Sequence, residues 1–505
     1  MAQAINKSKT DYPIRIGRRW DWRIVSTIEK IRRFTIPALY IALFLACSGL
    51  RLLNTGAIEE VRRFGDSADY TEKASWPLWS WGRHTGPLGG MITWWLQGRP
   101  PTVPLFYKMA GNVPRKIAIL QLSFSILSWG LLALAVSRAI QFSWLKPFAF
   151  LIILLFSLSD HIIMWDTAIL SDSISLSLMA LFIASWVWLL EDWRWQKAAL
   201  MLAVAFLWAF ARDSDAWVLL MLAALLVLIG SLWRSQRCLS VVPVLVMFFI
   251  ANEVSENYAQ RNFWAFFSVI GRRILPNAES TAFFAQLGMP VTPALMRLSG
   301  KSAGAQDKAF YKDPALQAFR EWAYDRGKSS YMRFLLAHPV MTIREPLKDI
   351  ETFIAPELTA KTSYYSYSSF SPILTGTLAG VIYFQKFALF LLWVWACGPM
   401  FVFGFLIAVQ RGELRWLVPL VLIILAYPHV VLVWHGDVDD FGRHALQAAV
   451  HLRLGMWMLF FFVADTILVH TTNGRIRRLI AGTAKRNERV LQPQKFLDQV
   501  FKRNS

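Results

Sequence analysis

Residues 35–70 read TIPALYIALFLACSGLRLLNTGAIEEVRRFGDSADY, an apolar run followed by a polar loop that carries Asp66 and Asp69. The run 35–53 approaches the ~20 apolar residues that a helix needs to cross the hydrocarbon of a bilayer. Positions 66 and 69 are three apart, so on a helix their carboxylates share one face. The stretch therefore predicts a membrane-spanning helix with a pair of carboxylates beyond its end.

The rest of the chain repeats this apolar character. Of its 505 residues, 55% are hydrophobic and 17% are charged, and the mean hydropathy is +0.40. A soluble protein could not bury that much apolar surface, so the sequence predicts an all-α polytopic membrane protein with about ten transmembrane helices. The predicted spans are 35–53, 116–137, 147–164, 168–190, 197–211, 215–233, 239–254, 385–409, 416–434 and 446–469.

The basic residues set the expected orientation. The formal net charge is +20, and Lys and Arg are concentrated in the segments 1–34 and 470–505. Short cytoplasmic loops and ends carry the excess of Lys and Arg in membrane proteins, so both ends are expected in the cytoplasm. No soluble module that combines basic and aromatic residues accompanies this charge, so a nucleic-acid partner is not expected.

This threading divides the chain into five regions. A cytoplasmic N-terminal segment, 1–34, precedes a transmembrane module, 35–254, whose first outer loop is 54–115. A more polar segment, 255–384, is expected to form a small, mainly helical extracytoplasmic domain, with helical apolar spacing over 314–336 and a Ser/Tyr-rich loop over 362–371. The remaining regions are the transmembrane helices of 385–469 and the cytoplasmic tail 470–505.

Four clusters of acidic residues that border the apolar runs share one feature under this threading, because all four fall at the same, extracytoplasmic, face. The clusters are Asp66 and Asp69; Asp166 and Asp172; Asp213 and Asp215; and Asp437, Asp439 and Asp440. Ionisable groups so near the hydrocarbon are costly unless they are paired or functional. Their convergence predicts an active site.

Structural alternatives exist for each candidate. Asp66 also suits the N-cap of a helix that has Asp69 in its first turn. Arg443 suits a planar phosphate contact, but it also suits an ion pair with Asp439 or Asp440. Asp172, in the sequence Leu170-Ser171-Asp172-Ser173, is predicted about one turn into its span, either as a Ser-paired structural acid or as a substrate ligand.

At these residues the chain resembles the GT-C superfamily of membrane glycosyltransferases, which use polyprenyl-phosphate sugars. The resemblance comprises an acidic pair and a Tyr after the first helix, a Leu-Ser-acid patch, an Arg that starts a later helix, and an acid-x-x-x-Arg-His element. The matching residues are Asp66, Asp69 and Tyr70; Leu170, Ser171 and Asp172; Arg212; and Asp439, Arg443 and His444. Ser67 stands where many members have a second acid, which leaves open whether Asp66 or Asp69 is the base.

The resemblance implies an inverting transfer of a sugar from a polyprenyl-phosphate donor to a glycan, lipid or protein hydroxyl. Asp66 or Asp69 would be the general base. The donor phosphate would contact Arg443, His444 and Arg212, with Asp172, Tyr70 and Asp439 also in the donor site. No cofactor is expected, with a divalent cation as the alternative. The short cytoplasmic loops and the absence of a pattern for heavy glycosylation or organelle retention indicate a bacterial inner membrane.

Three other classes of protein fit some features of the pattern. A glycan polymerase or ligase would take its sugar from a lipid diphosphate. A secondary transporter would have about as many spans, although its ionisable groups tend to lie near the bilayer midplane. A membrane scaffold would carry the acidic clusters without using them.

Overall fold

The computed structural model describes residues 22–54, 61–78, 86–232, 236–351, 378–384, 386–411, 414–439 and 441–501. Over these ranges the regular structure is helical, and extended backbone pairs at an isolated bridge between Arg62 and Ala168. Residues 47–505 form one compact unit, which contains all the contacts described below.

The N-terminal half of the chain contains eleven α-helices within the described ranges. They are α1 Trp22–Asn54, α2 Ser67–Ser75, α3 Gly86–Leu96, α4 Thr102–Met109, α5 Pro114–Ala139, α6 Leu145–Phe156, α7 Asp160–Ile163, α8 Asp172–Glu191, α9 Trp195–Ala209, α10 Asp213–Leu232 and α11 Gln236–Ala259.

The second half begins with a series of shorter helices. They are α12 Phe263–Val269, a π-helix Ile270–Ile274, α13 Ala278–Gln286, α14 Pro293–Met296, α15 Ala305–Lys312, a 3₁₀ turn Pro314–Leu316, α16 Gln317–Trp322, a π-helix Ala323–Gly327, α17 Lys328–Ala337 and α18 Pro339–Lys348. The helices that follow are α19 Gly380–Ile382, α20 Phe387–Arg411, a 3₁₀ turn Leu414–Trp416, α21 Leu417–Gly436 and α22 Phe441–Phe501.

Eight of the described helices are long and apolar enough to cross a membrane, and the chain is an all-α polytopic membrane protein. The eight spans lie in α1, α5, α8, α10, α11, α20, α21 and α22. Two of the ten predicted spans, 147–164 and 197–211, correspond to the shorter apolar helices α6 and α9.

The predicted continuous span 147–164 is wrong, because α6 ends at Phe156 and α7 starts at Asp160. The Ser157 hydroxyl donates to the Leu154 carbonyl oxygen at 2.7 Å, and Ser159 has an extended backbone (φ −63°, ψ 145°) as the N-cap of α7. Serine hydroxyls offer the backbone hydrogen bonds that compete with a helix, which accounts for the break.

Helix α8 is the most enclosed of the spans. Of its apolar window, 83% is buried inside the protein, and its apolar side chains alternate with Ser173, Ser175 and Ser177. A helix that is apolar all round is expected to be buried, and small residues let neighbouring helices approach closely. This placement sets the first residue of α8, Asp172, in the interior.

The segment between α11 and α19 has an aromatic core of its own. Phe267, Phe284 and Phe310 are fully buried there and pack with Phe319 and Trp322. The helical spacing predicted over 314–336 is confirmed by α16 and α17, whereas the predicted loop 362–371 lies outside the described residues.

A glycine at the edge of this core provides a test of the packing. A Cβ added to Gly271 would lie 2.0 Å from the Lys301 carbonyl oxygen, which is backbone and cannot rotate away. We expect Gly271→Ala to reduce the free energy of unfolding by about 1–3 kcal/mol, as overpacking does. Thermal unfolding in detergent measures this, with Gly398→Ala as the control because nothing lies within 4 Å of its added Cβ. Equal losses in the two variants would contradict the packing.

Candidate active site

The predicted acidic pair lies at the start of α2. Asp66 is the N-cap residue and makes no side-chain cap, and Asp69 is in the first turn. Ser67 instead anchors this turn, since its hydroxyl accepts from the Phe64 N–H at 2.8 Å and donates to the Ile169 carbonyl oxygen at 2.7 Å. The two carboxylates therefore remain available to other partners.

Both carboxylates bind one guanidinium, that of Arg99. Its Nη2 is 2.7 Å from Asp66 Oδ1 and 2.7 Å from Asp69 Oδ2, and its Nε donates to Asp69 Oδ2 at 3.0 Å. The expectation that positions 66 and 69 share a face is confirmed by this common partner. Burial lowers the pKa of Arg99, but Tyr70, Asp66 and Asp69 outweigh it and raise the pKa above its ordinary value.

Two further side chains hold Arg99 in place. The ring of Tyr70 lies under the guanidinium, with 5.2 Å from Cζ to the ring centroid. The ammonium group of Lys73 donates to the carbonyl oxygens of Gln97 (2.6 Å) and Arg99, and it lies 4.9 Å from the centroid of Trp94. Sequence reasoning missed Arg99, which in the structure follows a turn at Gly98 (φ +63°).

A buried group of charges lies next to the acidic pair. Arg443 Nε donates to Asp172 Oδ2 at 3.1 Å, and Arg212 Nη1 donates to Asp172 Oδ1 at 2.9 Å. Arg443 Nη1 also lies 3.6 Å from Asp66 Oδ2. These contacts join four residues that were expected at one face: Asp66, Asp172, Arg212 and Arg443. We call these four, together with Asp69 and Arg99, the charge cluster.

Helix starts supply every member of the cluster except Arg99. Asp66 precedes α2, Asp172 begins α8, Arg212 precedes α10, and Arg443 is in the first turn of α22. The N-terminus of a helix carries a partial positive charge and unpaired N–H groups, which favour anions. The N-termini of four helices therefore meet at the cluster. They stabilise negative charge there, either on the protein's own carboxylates or on a bound phosphate.

His444 extends the cluster from Arg212. The Arg212 Nη2 lies 2.7 Å from His444 Nδ1, and His444 Nε2 lies 3.1 Å from Asp437 Oδ2. A guanidinium only donates, so Nδ1 accepts and the ring proton of a neutral imidazole is on Nε2, directed at Asp437. These two contacts fix the tautomer and orientation of the ring.

The cluster is open at one end and buried at the other. The side chains of Asp69, Asp66 and Arg99 are 56%, 38% and 30% exposed, whereas those of Arg443 and Asp172 are 3% and 1% exposed. A substrate would therefore meet Asp66 and Asp69 first, with the guanidinium of Arg443 behind them.

Other predicted acids have different partners. The Asp166 carboxylate binds Arg51 at 2.8 Å, and Asp213 binds Arg261 at 2.8 Å. Asp215 accepts from the Ser175 hydroxyl at 2.6 Å. Asp439 accepts from the Ser268 hydroxyl at 2.7 Å and lies 3.3 Å from Arg272.

Two expectations for Asp172 need correction. It begins α8 instead of lying one turn inside the span, and its carboxylate binds Arg212 and Arg443. The serine-paired acids are instead Asp166, through Ser173, and Asp215. Asp440, the other predicted partner of Arg443, lies outside the described residues.

A site for a divalent cation is the alternative to a site without a cofactor. Across the described ranges there is no group of three or more His, Cys, Asp or Glu residues placed to hold a metal ion.

Lys73, which supports Arg99, predicts a pH dependence of stability. Burial and the nearby Arg261 lower the pKa of Lys73 from its ordinary 10.5 to about 7, and Asp213 opposes this. Between these values the unfolded chain binds more protons than the folded chain, so stability rises with pH. We expect the unfolding free energy of the native chain, relative to Lys73→Met, to increase from pH 7 to pH 10 by up to about 1.4 kcal/mol per pH unit.

Unfolding of both proteins in detergent at several pH values measures this difference. Parallel pH curves for the native chain and the variant would contradict the assignment to Lys73.

Comparisons with known proteins find a distant structural likeness. No protein-family model matches the sequence, and no curated protein matches it. Among solved structures, the chain is similar to the archaeal oligosaccharyltransferase AglB from Archaeoglobus fulgidus in complex with an inhibitory peptide and a dolichol-phosphate. The identity is 11%, the TM-score is 0.44, and the match covers 88% of this chain and 52% of that chain.

The chain thus spans about half the length of that protein. Function resides in a site and not in a fold, and in this chain the site is defined by the contacts of its own side chains.

Proposed function

We propose that this membrane protein is a glycosyltransferase that moves a sugar from a polyprenyl-phosphate donor to a hydroxyl group of an acceptor. The observation that carries the proposal is the 3.6 Å contact between the Asp66 carboxylate and the guanidinium of Arg443. It brings a half-exposed base and a buried cation within reach of one substrate. A transfer of this kind needs both, one for the attacking hydroxyl and one for the departing phosphate.

Asp66 is proposed as the general base. It contacts both Arg99 and Arg443, so it lies between the open end of the cluster and the cations behind it. The carboxylate would take the proton of the acceptor hydroxyl as the acceptor oxygen bonds to the anomeric carbon. The bond from that carbon to the phosphate oxygen breaks, its electron pair leaves with the lipid phosphate, and the configuration inverts. Asp69 would keep Arg99 in place.

The departing phosphate would be stabilised by Arg443, Arg212 and the helix N-termini that surround them. A guanidinium offers paired N–H donors that match phosphate oxygens. Asp172 binds both guanidiniums and so sets their positions, while His444 orients Arg212. These two guanidiniums and the helix N-termini would together stabilise the leaving phosphate, and we propose a transfer that needs no metal ion.

The sides of the membrane follow from the distribution of Lys and Arg. The basic segments 1–34 and 470–505 would lie in the cytoplasm, and the charge cluster would open to the extracytoplasmic face of a bacterial inner membrane. The acceptor would be a glycan, lipid or protein hydroxyl at that face.

The test uses purified protein with labelled polyprenyl-phosphate sugar and a membrane extract as the source of acceptor. We expect labelled product with the monophosphate donor, with and without a chelator. Product formed only from the corresponding lipid diphosphate would indicate a polymerase or ligase. Uptake of sugar into sealed vesicles without product would indicate a transporter, and either result would overturn the proposal.

A further inference from the structure

Helices α17 and α18 carry an apolar strip that is left uncovered by the described residues of the protein. The strip consists of large side chains spaced three or four residues apart, and two of them are more than 70% exposed. Its members are Met332 (43%), Leu336 (76%), Val340 (72%), Ile343 (55%) and Leu347 (46%). Phe334 and Pro346, by contrast, are buried against the protein. These helices therefore expose large apolar side chains on their outer surface in addition to those that they bury.

The contacts between α18 and α21 indicate where the strip lies relative to the membrane. The Tyr427 hydroxyl donates to the carbonyl oxygen of Ile343. Tyr427 lies nine residues before Gly436, the last residue of the membrane-spanning α21, or about 13 Å along its axis at about 1.5 Å per residue. The adjacent Thr342 contacts His435, one residue before that end, so this part of α18 lies beside the last turns of α21.

Two further contacts join α18 and the residue that follows it to the end of α21. His435 Nε2 is 2.9 Å from the Thr342 carbonyl oxygen, and Trp434 Nε1 donates to Asp349 at 2.8 Å. The guanidinium of Arg273 lies over the Trp434 ring, with Cζ 3.4 Å from the centroid. Tryptophan with polar and basic partners is typical of the boundary between hydrocarbon and water.

We propose that the strip on α17 and α18 lies in the interfacial layer of the bilayer, at the face where the charge cluster opens, and that lipid acyl chains cover it. The last turns of the membrane-spanning α21 meet the boundary of the bilayer, and the contacts of α18 place the strip beside these turns. An apolar helical face at such a boundary is stabilised in proportion to the apolar area that it buries. Helices α17 and α18 are then partly embedded in the bilayer surface and not surrounded by water. This inference is independent of the proposed activity.

The test uses single cysteines labelled with an environment-sensitive fluorophore in lipid nanodiscs. The substitutions are Val340→Cys and Ile343→Cys on the strip, with Ala318→Cys, exposed on α16, as the matched control. Cys47, Cys238 and Cys397 are buried, and the unsubstituted chain gives their background labelling. Leu336→Cys provides a second reading on α17 if either α18 variant fails to fold.

We expect nitroxide-labelled lipids to quench the strip positions at least about twofold more strongly than position 318, and aqueous iodide to show the reverse order. Quenching of the strip by iodide to the extent seen at position 318, with no effect of the labelled lipid, would overturn the proposal.

Discussion

Replacement of Asp66 by Asn is expected to reduce sugar transfer by about 10²–10⁴-fold, the contribution of a positioned general base. The amide has the shape of the carboxylate, so it keeps the hydrogen bond to Arg99 that Asp66 Oδ1 makes at 2.7 Å. It cannot accept the proton of the acceptor hydroxyl. The loss should therefore appear in kcat, while thermal unfolding in detergent changes little.

Asp69→Asn is the matched control for this prediction. Asp69 shares Arg99 with Asp66 and is more exposed, so the two variants remove the same charge beside the same guanidinium. We expect Asp69→Asn to retain most of the transfer activity, because in the proposed mechanism Asp69 only positions Arg99. Equal losses in the two variants would leave the base unassigned, and full activity in Asp66→Asn would remove Asp66 from that role.

Arg443→Gln should have the second largest effect, and it should lower both the stability of the protein and its transfer activity. The substitution leaves the buried carboxylate of Asp172 with Arg212 as its remaining guanidinium, and breaking a buried pair costs about 3–5 kcal/mol. We expect the lower end of that range because Arg212 stays. Transfer by the folded protein should fall by about 10²–10³-fold, the effect of losing one group that stabilises developing charge.

A second buried pair separates stability from activity. Arg415 lies 3.2 Å from Asp465, which is fully buried, in a contact that is not part of the charge cluster. Arg415→Gln should destabilise the chain to a similar degree and leave transfer per folded molecule nearly unchanged. Both variants are compared by unfolding in detergent and by activity normalised to folded protein. If Arg415→Gln lost as much activity as Arg443→Gln, the effect would come from weakened folding alone.

The sequence predicted the membrane fold and the meeting of Asp66 with Arg443, although these residues lie far apart along the chain. The prediction worked because a bilayer restricts the chain to two faces, so the placement of spans brings distant residues to one plane. Charge is also rare near hydrocarbon, which made the few acidic and basic residues there informative.

The partners of individual charges were less predictable. Arg99 binds a carboxylate 33 residues earlier in the chain through a turn whose direction the sequence pattern did not specify. Asp166 and Asp215 resembled Asp172 in position, yet Arg51 and Ser175 pair with them inside the helix packing. Which neighbour a buried carboxylate meets depends on how helices rotate against each other, and hydropathy does not record that rotation.

The contact of Asp172 with Arg443 also sets an order of events during biosynthesis. The ribosome makes Arg443 271 residues after Asp172, so a nascent chain can have its earlier spans in the bilayer while this ion pair is still missing. The charge cluster is completed only when α22 is inserted. Premature termination before that helix would thus yield an incomplete cluster, with Asp172 held by Arg212 alone.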